Sequence, residues 1–240
     1  WSTHPGDPYP NWGMLQTCLF KLVVPRALEP YLDADYARRN LELVRRRSEI
    51  VKKYGMQAAV VVIDPFYLPE QAYLDHPAWR GPRCDHPRRS RDMYFSPCID
   101  NEEVRGLYYE AMQRLCAEVD IGFFQIITND SGAGVCWSTG LYNGPNGPEA
   151  CRKVSMADRI VGFLQVLYDA ARSQGRETLI DITSDIFGYK APEASMDAAW
   201  TSLKPGQLVT GRDMHGKKPV YHMLSDLIEH VRPMQTLPMT

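Results

Sequence analysis

Gly122-Phe-Phe-Gln-Ile-Ile-Thr-Asn129-Asp130-Ser131-Gly132-Ala-Gly134-Val-Cys136-Trp137 is a short apolar run that ends abruptly in an amide, a carboxylate, a hydroxyl and two glycines. Its β-branched and aromatic residues predict a buried strand, and the polar cluster that follows is delivered at the strand's carboxyl end. The connection beyond it, 138 to 150, is rich in Gly, Pro and Asn and carries Tyr142. Long irregular connections of this kind are more often functional than short ones.

Upstream the same pattern recurs. Asp33 or Asp35 can cap a helix running to about Tyr54, with Leu41, Val44 and Val51 on one face and Gly55 where helices end. Met56 to Ile63 follows at once as a continuous apolar strand and ends in Asp64-Pro65-Phe66-Tyr67. A long loop, 64 to 99, contains His76-Pro-Ala-Trp79-Arg80-Gly81. Asp100 is the expected cap of the next helix, with Glu103 as capping-box partner and Val104, Leu107, Tyr108, Ala111 and Leu115 as its apolar stripe.

Downstream, Ser155 and Asp158 open a third helix whose Ile160, Phe163, Leu164, Leu167 and Ala171 face the core, ending at Gly175. Thr178 to Thr183 reads as a strand leading into Ser184-Asp185 and Tyr189. A further strand is expected over Met14 to Val24, stopped by Pro25. The tail offers a short helix over Met196 to Leu203, a strand over Gln207 to Thr210 and a helix over Val220 to Val231.

Strand and helix alternate, with short αβ turns and very long βα loops at 64–99, 129–154 and 185–195. That pattern means parallel strands joined by right-handed crossovers, and loops massed on the carboxyl face are the habit of (β/α) barrels. The fold class expected is therefore α/β, a TIM (β/α) barrel. The repeat is about 60 residues, so eight units do not fit into the 240 residues of the chain. Residues 1–240 are accordingly read as a single barrel-type domain or fragment, a partial or excised portion whose remaining strands lie elsewhere. The start at Trp1 rather than Met agrees with an excised or processed piece.

Composition narrows the function classes. With a net charge of −2 and 44% hydrophobic residues, nothing directs the chain to nucleic acid, and no run approaches a membrane span. The basic residues of Arg45-Arg46-Arg47 fall on a helix face. The Arg80 to Arg91 loop reads as a surface or salt-bridged loop, with an anion contact the lesser alternative. Six cysteines (Cys18, Cys84, Cys98, Cys116, Cys136, Cys151) contain no C-x-x-C pair, which argues against a zinc ribbon or redox site. Cys84 with Cys98, and Cys136 with Cys151, could close disulfides if the protein is exported; reduced buried thiols fit as well. The compartment stays open, with an extracytoplasmic one compatible with paired cysteines.

Neither nucleotide nor metal chemistry is expected. Gly132-Ala-Gly134 is a G-x-G, but about 20 residues separate it from the next helix, whereas a dinucleotide site needs the helix at once. The six histidines (His4, His76, His86, His215, His222, His230) show no H-x-H or H-E-x-x-H spacing. No cofactor and no metal site is assigned.

What remains is carboxylates on strand ends among loop aromatics. Asp64, Asp130 and Asp185 each follow a different parallel strand and should converge on one rim. Glycosidic cleavage needs one carboxyl to protonate the leaving oxygen and another to attack or to activate water. Trp79, Trp137, Tyr67, Tyr142 and Tyr189 could stack on sugar rings, while Asn129 and Ser131 could hold hydroxyls. The bland alternative is that each Asp caps a helix or binds a turn.

The succession apolar strand, Asp-Pro, His-Pro-x-Trp-Arg-Gly, Ser96-Pro-Cys-Ile-Asp-Asn-Glu-Glu-Val104, helix, strand, Asn-Asp-Ser-Gly-Ala-Gly-x-Cys-Trp resembles the catalytic barrel of glycoside-hydrolase-like proteins distantly similar to family 20 hexosaminidases. The resemblance covers about 35 to 185. It implies a (β/α)8 glycosidase with an acid after a central strand, at the position of Asn129-Asp130; here Asp stands where such barrels carry Glu. The expected function is a glycoside-hydrolase-like protein acting on an oligo- or polysaccharide. The alternative is a non-catalytic carbohydrate-binding or structural barrel domain of a larger polysaccharide-processing protein. An open-sheet protein acting on a small acidic metabolite through the Arg80 to Arg91 loop is a third, weaker option.

Overall fold

The computed structural model describes residues 17–84, 93–128, 134–137, 147–154 and 156–182. Expectations placed on 14–16, Asn129, Asp130, Ser131, Tyr142, Asp185, Tyr189 and the tail lie outside these residues.

Three parallel strands form the centre: β1 (Ala58–Ile63), β4 (Ile121–Ile127) and β5 (Leu179–Ile182), in the order β1-β4-β5. Val62 pairs with Ile126, and Ile126 in turn with Ile182. Strand order thus follows chain order, each step made through a helix: α3 (Glu102–Glu118) before β4 and α4 (Met156–Ser173) before β5. The two helices pack on each other, so the sheet winds in one direction with its helices side by side. Mixed α/β with a small parallel sheet of this winding is consistent with part of a (β/α) barrel.

Exposure alternates along the strands. Val60, Val62, Phe124, Ile126, Ile180 and Ile182 are buried toward the helices. On the opposite face Val61 is 45% exposed, and Phe123, Gln125 and Ile127 are only partly covered. Parallel sheets normally bury both faces, so the second face is the one a closing barrel would fill.

The helices form where their stripes and caps predict. In α1 (Ala34–Lys53), the Asp33 side chain accepts from the Tyr36 N–H at 2.8 Å, and Tyr36, Ala37, Leu41 and Val44 are buried. Gly55, at φ 71°, supplies the left-handed residue that turns the chain into β1. All five residues of each expected stripe in α3 and α4 are buried. The cap of α3 is Asn101, whose Oδ1 accepts from the Val104 N–H at 3.1 Å, rather than Asp100.

Two other expectations are corrected. Residues 17–24 do not form a strand: Leu19–Lys21 is a 3-10 turn, although the Thr17 carbonyl accepts from the Ile63 N–H at 2.7 Å. The apolar run signals burial rather than extension, and Cys18 to Val24 is indeed buried throughout. The connection over 64–99 is not structureless, since it holds α2 (Glu70–Asp75) and an antiparallel hairpin of β2 (Arg80–Arg83) and β3 (Phe95–Pro97). A Cβ on Gly81 would lie 2.7 Å from the Ser96 carbonyl oxygen, so only glycine lets β2 approach β3 this closely.

Candidate functional site

The carboxyl ends of the three parallel strands define one rim. Asp64 leaves β1 there, and its N–H donates to the Ile127 carbonyl of β4 at 3.1 Å, extending the strand pairing by one residue. Its carboxylate is 1% exposed. Oδ2 accepts from the Leu19 N–H at 2.8 Å and Oδ1 from the Tyr108 hydroxyl at 3.1 Å. Burial pushes the Asp64 carboxyl up to about 7, against the opposing pull of hydrogen bonds from Leu19, Tyr108 and the Phe66 backbone. Tyr108 is itself locked between Phe20 and Phe163, at ring-centroid distances of 4.6 and 4.8 Å. Asp64 therefore ties β1, the 3-10 turn and α3 together from beneath the rim.

The aromatics divide. Trp79 belongs to the core at 3% exposure. Its Nε1–H donates to Glu103 at 2.6 Å, and His76 stacks on its ring at 3.8 Å, so that face is already taken. Tyr67 is partly exposed, edge-on to Tyr94 at 5.0 Å. Trp137 is also partly exposed; its Nε1–H donates to the Pro148 carbonyl at 2.9 Å and the Arg152 guanidinium sits 5.0 Å from its ring centroid. At φ 59° Trp137 is a non-glycine residue in the left-handed region, a conformation that surrounding contacts must enforce.

A second constellation lies on the same side, built from the loops that leave the strands. Cys98 follows β3, Cys136 follows β4, and Cys151 precedes α4. All three are buried free thiols, and Cys98 Sγ lies 3.5 Å from Cys136 Sγ. The pairings Cys84/Cys98 and Cys136/Cys151 are thus not present as disulfides; the thiols instead gather as a trio. Asp100 completes the group, with one donor atom from each of the four residues within 4.8 Å of the others. The contact with Cys136 draws the Cys98 thiol below the usual range, while hydrogen bonds to Cys151 and Cys98, with burial, hold Cys136 above it.

Arg159 holds this group in place. It is 1% exposed, in the first turn of α4. Nε–H donates to Asp100 Oδ2 at 2.7 Å. The terminal nitrogens donate to the carbonyls of Cys136 and Cys151 at 2.7 Å and of Val154 at 3.3 Å. Asp100 Oδ1 is buried and accepts no hydrogen bond among the described residues; the Arg105 guanidinium pairs with it more loosely, at 3.9 Å. The position of Asp100 just before the cap, and of Arg159 four residues before Phe163 on the α4 stripe, were the signals that could have revealed this pair.

An open cavity of about 620 Å³ lies elsewhere, between α1, α3 and residues 22–29. Its lining is charged, with Arg38, Glu42 and Arg114 among it, and includes no strand-end residue.

Neither a protein-family model nor a curated protein matches the chain. Solved structures of the α-galactosidase AgaA from Geobacillus stearothermophilus, a GH36 enzyme, are similar. A variant in complex with raffinose aligns at 17% identity and TM-score 0.37, over 58% of this chain and 18% of that one. A variant with stachyose gives 18% and 0.39, over 60% and 19%, and a further AgaA structure 16% and 0.41, over 75% and 29%. The chain spans less than a third of the length of these neighbours. They are GH36 rather than family 20 enzymes, and a likeness this partial assigns no residue a role. No described helix is long and apolar enough to cross a membrane.

Proposed function

We propose that the chain is part of a (β/α)8 barrel that handles an oligo- or polysaccharide, as a glycoside-hydrolase-like protein. The observation that carries the reading is the asymmetry of the parallel sheet: short αβ turns at one end, elaborate loops at the other. In barrels, binding and catalysis belong to the elaborate end.

Within this reading Asp130, three residues past the end of β4, is the acid or base. Asn129 and Ser131 hold sugar hydroxyls, and Asp185, three residues past β5, is the second carboxylate. The partial exposure of Tyr67 and Trp137 supports them as stacking faces, with Tyr142 and Tyr189 beside them. The enclosure of Asp64 supports a positioning role for it, and that of Trp79 a structural one. The remaining barrel strands or further domains of a parent protein complete the cleft.

A second reading, a barrel that binds carbohydrate without cleaving it, draws support from the same enclosure, since fewer strand-end carboxyls face the rim. Aryl glycosides separate the two. Turnover that falls by about 10²- to 10⁴-fold in Asp130→Asn is expected for the enzyme. No turnover, with oligosaccharide still bound in calorimetry, leaves the binding barrel. Neither turnover nor binding overturns both.

A further inference from the structure

We propose that Cys98, Asp100, Cys136 and Cys151 are the ligands of a structural metal site of the zinc(II) class. The three sulfurs and a carboxylate oxygen lie within 4.8 Å of one another, and the nearest sulfur pair is at 3.5 Å. Tetrahedral zinc with Zn–S bonds of about 2.3 Å places its sulfurs about 3.7 Å apart, so small side-chain rotations close the set.

Asp100 supplies an independent observation. Its side chain is 6% exposed, with Oδ2 committed to Arg159 and Oδ1 buried without a hydrogen-bond donor among the described residues. A buried carboxylate oxygen that accepts no hydrogen bond, with the Arg105 guanidinium no closer than 3.9 Å, is stabilised by a cation that meets it directly. Arg159 supplies the outer support that metal-ligating carboxylates need, fixing Asp100 and, through their carbonyls, the backbones of Cys136 and Cys151.

Charge and geometry also choose the class of ion. Three thiolates favour a soft or borderline ion over magnesium or calcium. Four protein donors, all shielded from solvent, leave no open position for water, which marks a structural site rather than a catalytic one. The metal would staple the β3–α3 turn to two points of the β4–α4 connection, one near each end. C-x-x-C spacing does not occur because Cys98 lies on the β3–α3 turn, while Cys136 and Cys151 are 15 residues apart in the β4–α4 connection.

The test uses the full chain, purified reduced and reconstituted with zinc(II). About one zinc per chain by mass spectrometry of the metal is expected, along with a sulfur-to-metal charge-transfer band when cobalt(II) replaces it. Cys136→Ser should abolish retention. Arg159→Lys should weaken it about 10- to 100-fold. Cys116→Ser, a buried thiol outside the group, should leave it unchanged. If Cys136→Ser does not fold, Asp100→Asn keeps the shape and all three sulfurs and should still lower affinity, while the cobalt spectrum of the unsubstituted chain needs no variant. A folded, reduced chain that takes up neither zinc nor cobalt, or binding unaffected by Cys136→Ser and Asp100→Asn alike, overturns the proposal.

Discussion

Replacing Asp64 by asparagine removes a buried carboxyl while keeping its shape, and the effect should depend on pH in a calculable way. Burial raises Asp64 to about 7 in the folded chain, against about 3.9 for an unfolded aspartate. Between these values the folded state holds a proton that the unfolded state has lost, so stability falls as pH rises. The slope is about 1.4 kcal/mol per pH unit and the total about 4 kcal/mol, complete once pH passes about 7. The amide of the variant cannot ionise and carries no such slope. Urea midpoints of both proteins at intervals from pH 4 to pH 8, converted with a shared m value, isolate the difference from every other carboxyl. The parent should lose about 4 kcal/mol relative to Asp64→Asn across the series. A difference flat to within about 0.5 kcal/mol would refute the reasoning. A difference of opposite sign would mean that the carboxylate is held ionised, with the Leu19 and Tyr108 donors outweighing desolvation.

Arg159→Met, measured by urea unfolding in the presence of a chelator, should cost about 3–5 kcal/mol, because buried Asp100 loses its closest cation and keeps only Arg105 at 3.9 Å, while the carbonyls of Cys136, Cys151 and Val154 lose the guanidinium donors. Gly81→Ala should cost about 1–3 kcal/mol, since the new methyl meets backbone at 2.7 Å rather than a yielding side chain; thermal unfolding reads the loss.

Local signals carried most of the helices and strands. The stripes of α1, α3 and α4 and the apolar runs of β1, β4 and β5 need only periodicity and neighbouring caps, and they appear where those predict. Errors arise where two local solutions are equivalent. Asp100 and Asn101 can each cap α3; Asn101 does so, and the choice follows from Arg159, 59 residues away. Residues 17–24 are apolar enough for a strand, but the Asp64 carboxylate captures the Leu19 N–H and the chain turns instead. The rim was half legible. Asp64 does stand at a strand's carboxyl end as read, yet whether a strand-end carboxyl faces out or in is decided by what packs over it, here Tyr108 and the 3-10 turn. The thiol trio has no local signature, because its members are separated by 38 and 15 residues, and only the topology that brings βα loops to one end unites them.

Arg159 also makes the β3–α3 turn and both ends of the β4–α4 connection into one mechanical unit. A guanidinium that serves Asp100, Cys136, Cys151 and Val154 simultaneously cannot release one without surrendering part of its hold on the others. Segments far apart in the chain thereby share a single latch at the base of α4, in a helix turn where the backbone dipole disfavours a cation. Opening of the rim is then cooperative: the β3–α3 turn and the loops on either side of residues 138–146 yield together, as one unit of local unfolding, rather than fraying one by one.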